Sequence, residues 1–102
     1  NNNPVFYADI KVEFNGNIKQ LTSFGNGRLD AVSNAIKENT GLKFTIEEYT
    51  EHALQKGSNS QAVAYVAIKL DDKIVWGVGI HEDIMFASVN ALFAAINRTH
   101  KL

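Results

Sequence analysis

Apolar and polar residues alternate at the start of this chain with the period of a β-strand. From Val5 to Phe14 every second residue along the chain, beginning with Phe6, is apolar, and most of the residues between them are polar. This is the pattern of a half-buried strand. Asn15-Gly16-Asn17 can adopt the positive φ angles of a tight turn. A second alternating run, Ile18 to Phe24, then predicts an antiparallel hairpin.

The hydrophobic period changes after the glycine-rich segment Gly25-Asn26-Gly27. Apolar residues then recur at helical spacing, which predicts a helix near Arg28–Glu38. Gly41 is placed to end it, since glycine readily adopts the left-handed conformation after a last helical turn. A third strand is expected from Lys43 to about His52, with a bulge near Glu47-Glu48 because the apolar parity shifts there.

The same order of patterns returns in the second half of the chain. Gln55–Ser60 has the composition of an exposed loop. Alternating apolar residues in Ala62–Leu70 and Ile74–Ile80 predict two more strands, joined by a turn at Asp71-Asp72-Lys73. A second helix is expected near Asp83–Arg98.

The two halves are related by a constant offset of 56 residues, the spacing between Ala8 and Ala64. Identical pairs at this offset include Ala8 and Ala64, Ile18 and Ile74, Ala31 and Ala87, Asn34 and Asn90, and Ala35 and Ala91. Self-similarity at one spacing indicates a duplicated supersecondary unit. We therefore predict one α+β domain over residues 1–102, with a mainly antiparallel sheet, two helices and strand-strand-helix repeats at about 6–46 and 62–102.

The last helix is apolar around most of its circumference. Ala87, Ala91, Ala94 and Ala95 form one smooth face, and Met85, Val89, Leu92 and Ile96 form a bulkier one. We expect a second copy of the chain to cover one of these faces in a two-fold dimer. The alternative is that the sheet and the long loop cover them. Gly77 and Gly79 would let another backbone or a ligand approach the preceding strand.

Composition narrows the possible functions. The 102 residues fit one domain, and a formal charge of −1 provides no broad attraction for nucleic acid or anionic lipid. No apolar run is long enough to span a bilayer, and Asn1–Pro4 lacks a signal-peptide pattern. The absence of cysteine rules out disulfides and thiolate metal sites and agrees with a cytoplasmic location.

The candidate chemistry is limited. A glycine elbow before a helix, as at Gly25–Gly27, presents backbone N–H groups and the positive end of the helix dipole to an anion, although such a segment is more often a simple turn. Glu47, Glu48, Glu51 and His52 are acidic or metal-ligating types, but a strand sends neighbours to opposite faces, so a solvated strand is the favoured interpretation. Spacing gives His81, His100 and Ser88 no catalytic partner, so catalysis by this chain alone is not predicted.

Several longer segments resemble a known family. They are Gly25-Asn26-Gly27, Glu48–Leu54 with the following Gly57, Gln61–Val66, Trp76–Ile80 and the ending from Ala87-Ser88 to Ala95–Arg98. Together these segments are similar to the carboxy-terminal regulatory domain of 2-isopropylmalate synthases, over about Tyr7 to Arg98.

The resemblance implies a dimeric domain of paired strand-and-helix units that binds L-leucine for feedback inhibition. In that family a separate barrel condenses acetyl-CoA with 2-oxoisovalerate and holds the divalent metal. The barrel has no counterpart in these residues, so the resemblance implies no cofactor in this domain and a catalytic barrel as its partner in the parent enzyme.

The family's leucine pocket maps onto a small set of positions. They are Gly25, Asn26, Gly27 and Leu29 at the first elbow, Ile46, Tyr49 and Ala53 on the third strand, and Ile80 or Ile84 at the second elbow. Two positions depart from the family pattern: Arg28 stands where proline is common, and His81 where a small or acidic residue is common. A charged side chain at either position could alter the affinity for the ligand or the pH dependence of binding.

Two alternatives stay open at this point. Related citramalate synthases have a similar domain that senses isoleucine. A free-standing homodimeric module without a small ligand would also explain the duplication and the apolar last helix.

Overall fold

The computed structural model describes residues 5–14, 16–56 and 59–99, with the side chains of 14, 55, 56 and 59 left out. The described elements, in order, are β1 (Phe6–Phe14), β2 (Asn17–Gly25), α1 (Arg28–Thr40), β3 (Phe44–Lys56), β4 (Asn59–Leu70), β5 (Lys73–His81) and α2 (Ile84–Asn97). They form two compact units that divide between Lys43 and Phe44.

The first unit is a β-hairpin with one helix on it. β1 and β2 pair antiparallel from Phe6 opposite Gly25 to Phe14 opposite Asn17. The apolar stripe of α1 is buried, and it packs against a strand face that includes Ala8 and Leu21. Gly41 ends the helix with φ 76° and donates its N–H to the Lys37 carbonyl at 3.0 Å, as predicted for a left-handed cap.

The second unit is a three-stranded antiparallel sheet, in the order β3-β4-β5, with α2 on one face. Its hairpin turn uses Asp71 and Asp72 at φ 52° and 64°, values that a short polar side chain tolerates better than a branched one. Ile68, Leu92 and Ile96 are fully buried at its centre. The sheet and helix therefore share one hydrophobic core.

The third strand is longer than predicted. The predicted bulge is confirmed, because the register shifts between Ile46 and Glu48. However, β3 continues to Lys56, and Gln55 pairs with Ser60 in the β3–β4 ladder. The loop expected over Gln55–Ser60 is wrong at these positions, since backbone pairing overrides their polar composition; Gly57 and Ser58 lie outside the described residues.

The structure confirms the duplicated α+β fold. Shifting β2, residues 17–25, by 56 residues gives 73–81, which are the bounds of β5. The same shift takes the first residue of α1, Arg28, to the first residue of α2, Ile84. The strand-strand-helix order β1-β2-α1 thus recurs as β4-β5-α2, with β3 before the second set.

The glycines of β5 allow α2 to lie directly on the strand. A Cβ atom at Gly77 would collide with the backbone of Ala91 and Ala95. One at Gly79 would lie 2.6 Å from the Ala91 backbone nitrogen and would also strike the Ala87 carbonyl oxygen. The approach predicted for these glycines is therefore made by the chain's own helix.

This packing corrects the predicted dimer surface. Ala87, Ala91 and Ala95 are 0% exposed within the single chain, and so are Leu92 and Ile96. The sheet of the same unit already covers these five residues, so they are closed to a second copy. Met85, Val89 and Ala94 of the two predicted faces are half-buried. Replacing Ala91 with glutamate would then damage the core of the unit rather than an interface.

Candidate functional site

The first elbow, Gly25-Asn26-Gly27 between β2 and α1, leaves the helix start without a side-chain cap. Gly27 is the N-cap in an extended conformation, with φ −141° and ψ 170°, and no side chain hydrogen-bonds there. Its carbonyl accepts the Ala31 N–H at 2.9 Å. The N–H groups of the first helical turn therefore face outward beside the positive end of the helix dipole, an arrangement that suits an anion.

The two glycines of this elbow have different roles. A Cβ atom at Gly25 would lie 2.8 Å from the Cα of Ala31, so glycine is needed for the close approach of strand and helix. A Cβ atom at Gly27 would meet nothing within 4 Å. Asn26 donates its backbone N–H to the Asp30 carboxylate at 3.1 Å, which holds the elbow. The space beside Gly27 is thus open in the single chain.

The second elbow, His81-Glu82-Asp83 between β5 and α2, carries its own anion. Asp83 is the N-cap, and its Oδ1 accepts the N–H of Met85 at 2.7 Å and that of Phe86 at 3.3 Å. His81 Nδ1 accepts the Asp83 N–H at 2.9 Å, and its ring lies 5.0 Å from the Phe86 ring. The 56-residue offset places Asp83 where the first elbow has Gly27.

Three site candidates of the second unit share one side of its sheet. Tyr49 and Ala53 on β3 face the side that carries α2, because they pair across β4 with Val66 and Ala62 and so align with Gly77 and His81 of β5. Ile46 lies on this side too and is half-buried.

The hydroxyl of Tyr49 connects β3 to α2. It lies 2.8 Å from Ser88 Oγ, and it also donates to the Glu51 carboxylate. Ser88 Oγ in turn lies 2.9 Å from the carbonyl oxygen of Ile84, at the start of the helix. Tyr49 and Ile84 remain 42% and 44% exposed, so they border a partly open strip of apolar surface.

Burial raises the pKa of Tyr49 above 10.0, and the hydrogen bond to the Glu51 carboxylate raises this pKa further. The Ser88 hydroxyl acts in the opposite direction. The Tyr49 hydroxyl therefore stays protonated at neutral pH and can donate a hydrogen bond.

Ile80 and Ile84, the two candidates at the second elbow, lie on different sides of the sheet. Ile80 pairs with Val63, which puts its side chain on the sheet face away from α2, where it is 51% exposed. Ile84 starts α2 on the other side. Of the two residues, Ile84 is therefore the one on the side of Tyr49 and Ala53.

The candidates belong to both units. Gly25, Asn26, Gly27 and the half-buried Leu29 lie in the first, and Ile46, Tyr49, Ala53, Ile80 and Ile84 in the second. Sequence reasoning missed Ser88 and Glu51 as neighbours of Tyr49. A strand-to-helix contact between residues 49 and 88 leaves no periodic signal that could have found it.

Among residues 5–14, 16–56 and 59–99, no group of three or more acidic or histidine side chains is arranged to hold a metal ion. Glu48 and His52 face one side of the sheet, and Glu51 faces the other. None of the described helices is both long enough and apolar enough to cross a membrane.

Comparisons with known proteins place the chain in a class and then in a family. Paired strand-strand-helix units define an α+β domain with antiparallel sheets. The model of the LeuA allosteric (dimerisation) domain matches residues 1–100. The chain belongs to this family.

Individual relatives agree with this assignment. The chain is 47% identical over 97 residues to the 2-isopropylmalate synthase of Desulfitobacterium hafniense (strain Y51), covering 94% of this chain and 17% of that protein. It is 50% identical over 80 residues to that of Helicobacter hepaticus (strain ATCC 51449 / 3B1), covering 78% of this chain and 14% of the relative. It is 38% identical over 94 residues to that of Thermobifida fusca (strain YX), covering 92% of this chain and 16% of that protein. The chain thus spans only 14 to 17% of the length of these relatives.

Proposed function

We propose that this chain is the leucine-sensing regulatory domain of a cytoplasmic 2-isopropylmalate synthase. The observation that carries the proposal is the match to an allosteric domain family over residues 1–100. Leucine would act on a catalytic barrel in the parent enzyme, where acetyl-CoA and 2-oxoisovalerate are condensed with a divalent metal. The domain itself would hold no cofactor, and its two units would act as one homodimeric regulatory domain.

The first elbow is the proposed site for the leucine carboxylate. Asp83 illustrates the chemistry, since its own carboxylate accepts two helix N–H groups at the equivalent position of the second elbow. Gly27 provides no such group, so the N–H donors in the first turn of α1 are left for a ligand. Leu29 is the proposed apolar neighbour of this elbow in the first unit. Ile46, Ala53 and Ile84 form the proposed apolar wall in the second unit, with Tyr49 beside it.

Calorimetry on the purified chain with L-leucine, L-isoleucine and L-valine tests the ligand. We expect heat of binding with leucine and a weaker response to the other two. We also expect leucine to raise the thermal midpoint, because a ligand specific for the folded state adds about 2.7 kcal/mol at a hundredfold excess over Kd. An unmoved midpoint in millimolar leucine, with no heat, would contradict the proposal. A stronger response to isoleucine would instead assign the chain to the citramalate synthase group.

Gly27→Val tests the carboxylate end of the site. The added side chain would point into open space in the single chain, so the unliganded midpoint should hardly change. Leucine should lose its effect on the midpoint because the branched side chain blocks approach to the helix start. Lys11→Val, at an exposed position of β1, is the matched control and should keep the leucine response.

Ala53→Leu tests the apolar end of the site. Ala53 is exposed, so the larger side chain should fit without unfolding the second unit. It should fill the proposed wall and raise the leucine Kd at least about tenfold, or 1.4 kcal/mol. Titration calorimetry measures the change. An unaltered Kd would remove Ala53 from the site.

A further inference from the structure

Glu51 presents a carboxylate on the side of the sheet that carries α2. It pairs with Ala64 across the β3–β4 ladder, and Ala64 pairs with Gly79, on which α2 lies. Its side chain therefore shares this side with those of Tyr49 and Ala53, and lies between them along the strand. Glu51 is exposed. Within the described part of the chain, its carboxylate has the Tyr49 hydroxyl as its one hydrogen-bond partner and forms no ion pair.

Hydrogen bonds connect this carboxylate to the start of α2. Tyr49 donates its hydroxyl to Glu51, and its oxygen lies 2.8 Å from Ser88 Oγ. Ser88 Oγ also lies 2.9 Å from the Ile84 carbonyl oxygen. Because the proton of Tyr49 is given to the carboxylate, the Ser88 hydroxyl is the group that can donate to the Tyr49 oxygen. The carboxylate is thus held at the helix start by side chains of both elements.

The duplicated first unit shows that helix packing does not require the Ser88 hydroxyl. The offset of 56 residues places Val32 at the position of Ser88. Both residues are buried, at 5% and 1% exposure. An apolar residue thus fits at this place in the scaffold, whereas a buried hydroxyl costs free energy unless it is hydrogen-bonded. The polar link from α2 to Glu51 therefore serves something other than packing of the helix.

The surface on this side of the sheet combines the acid with apolar groups. Ala53 follows Glu51 on β3, and Ile84, which is 44% exposed, starts α2 on the same side. A carboxylate offers about four lone-pair sites, so the bond from Tyr49 leaves acceptor capacity free. An ammonium group carries only donors, and an aliphatic chain is suited to the apolar residues. The arrangement fits a primary ammonium ion with a short aliphatic side chain.

We propose that Glu51 accepts the ammonium group of the ligand and that Tyr49, held by Ser88, positions the Glu51 carboxylate. The inference rests on the proposed amino-acid ligand and adds the residue that recognises its amino group. A hydrogen bond between two ionised groups is about twice as strong as a neutral one. A carboxylic acid or 2-oxo acid with the same carbon skeleton has no ammonium group and cannot make this contact. Glu51 therefore selects the amino acid over these compounds.

Glu51→Gln and Glu48→Gln form a matched pair of variants. Each removes one negative charge from an exposed position of β3, but Glu48 pairs with Ala67 and faces the opposite side of the sheet. Calorimetry with L-leucine measures Kd. We expect Glu51→Gln to raise this Kd about tenfold or more and Glu48→Gln to leave it unchanged. An unchanged Kd for Glu51→Gln would overturn the inference and leave the leucine proposal standing.

Two analogues separate the ammonium group from the rest of the ligand. Isocaproate keeps the carboxylate and the isobutyl group of leucine, and isoamylamine keeps the ammonium and the isobutyl group. Amide chemical shifts report binding at millimolar concentration. We expect Glu51→Gln to lose the response to isoamylamine and to bind isocaproate as the wild type does. Equal weakening of both analogues would mean that the substitution disturbs the apolar wall, which contradicts ammonium recognition.

The same titrations distinguish failure of the inference from failure of the ligand proposal. If the wild type binds isoamylamine through Glu51 but gives no response to leucine, the ammonium site stands and the leucine assignment falls. If the wild type binds neither compound, both fall.

Tyr49→Phe tests the positioning role. It removes the hydroxyl that holds the Glu51 carboxylate and keeps the aromatic ring. We expect a smaller rise in the leucine Kd than for Glu51→Gln, with the isocaproate Kd unchanged. In the double variant, Tyr49→Phe should add nothing to Glu51→Gln, because it acts through that carboxylate. Additive effects, or an equal loss of leucine and isocaproate, would refute positioning through Glu51.

Discussion

The two units are built on one strand-strand-helix scaffold but pack their helices differently. In the second, α2 lies directly on Gly77 and Gly79, and its alanines contact the strand backbone. In the first, the equivalent strand positions hold the buried side chains of Leu21 and Ser23, and the close backbone approach lies at Gly25, beside the start of the helix. The two units therefore share one topology, but the distance between helix and strand depends on the size of the side chains between them.

The elbows differ in a second way that concerns function. Asp83 caps α2 with its own carboxylate, and Gly27 leaves the start of α1 uncapped. The same local geometry is therefore self-satisfied in one unit and open to an anion in the other. A repeat can thus keep the same elbow and differ in whether the start of its helix carries a side-chain cap.

The largest effect is expected from adding one methyl group at the helix–strand contact of the second unit. Gly79→Ala should lower the free energy of unfolding by about 3 kcal/mol, because its Cβ meets the backbone of Ala87 and Ala91 and rigid backbone cannot yield easily. Ser23→Ala, at the matching position, should cost about 1 kcal/mol through the lost hydrogen bond to Glu38. Urea denaturation measures both. Equal costs would refute the difference in layer spacing.

Exchanging the caps tests the comparison of the elbows. Gly27→Asp should copy the second elbow into the first and raise unliganded stability by about 0.5 kcal/mol, while its carboxylate displaces that of leucine from the helix N–H groups. Thermal midpoints with and without leucine measure both effects. A variant that is stabilised and still responds to leucine would place the ligand carboxylate elsewhere.

The reciprocal change is the control. Asp83→Ala should cost about 1 kcal/mol in the second unit, since the N–H groups of Met85 and Phe86 lose their acceptor. Urea denaturation measures this loss.

The smallest effect concerns the polar link between strand and helix. The first unit joins α1 to β2 through Asn34, which donates to the Phe24 carbonyl at 2.8 Å, and the second joins α2 to β3 through Tyr49 and Ser88. Tyr49→Phe should cost about 0.5 to 1 kcal/mol at pH 7.

The pH dependence of this link follows from the raised pKa of Tyr49. A group whose pKa is higher in the folded than in the unfolded state stabilises the fold fully below its unfolded value, here about 10, and loses that contribution as pH rises through the folded value. The difference in stability between wild type and Tyr49→Phe should therefore shrink above pH 10. A difference that stays constant to pH 11 would show that the hydroxyl contributes nothing through its proton.

The sequence by itself determined the repeated topology, the hairpin turns and both helices. These features depend on local periodicity and turn chemistry, and the shift that relates Ala8 to Ala64 also relates β2 to β5. The glycine elbow could be predicted for the same reason, because Gly25–Gly27 lies between the strand period that ends before it and the helical period that follows.

Only the tertiary structure decided which surfaces are buried and which distant residues are in contact. The alanine face of α2 looked available because periodicity describes an element without its neighbours, and the backbone of β5 covers it. Likewise, Ser88 became the partner of Tyr49 through a contact between residues far apart in the chain. Gln55 and Ser60 belong to strands despite their loop-like composition, because their backbones pair with each other across the β3–β4 ladder. Pairing and packing between distant segments are properties of the folded chain, and no local pattern records them.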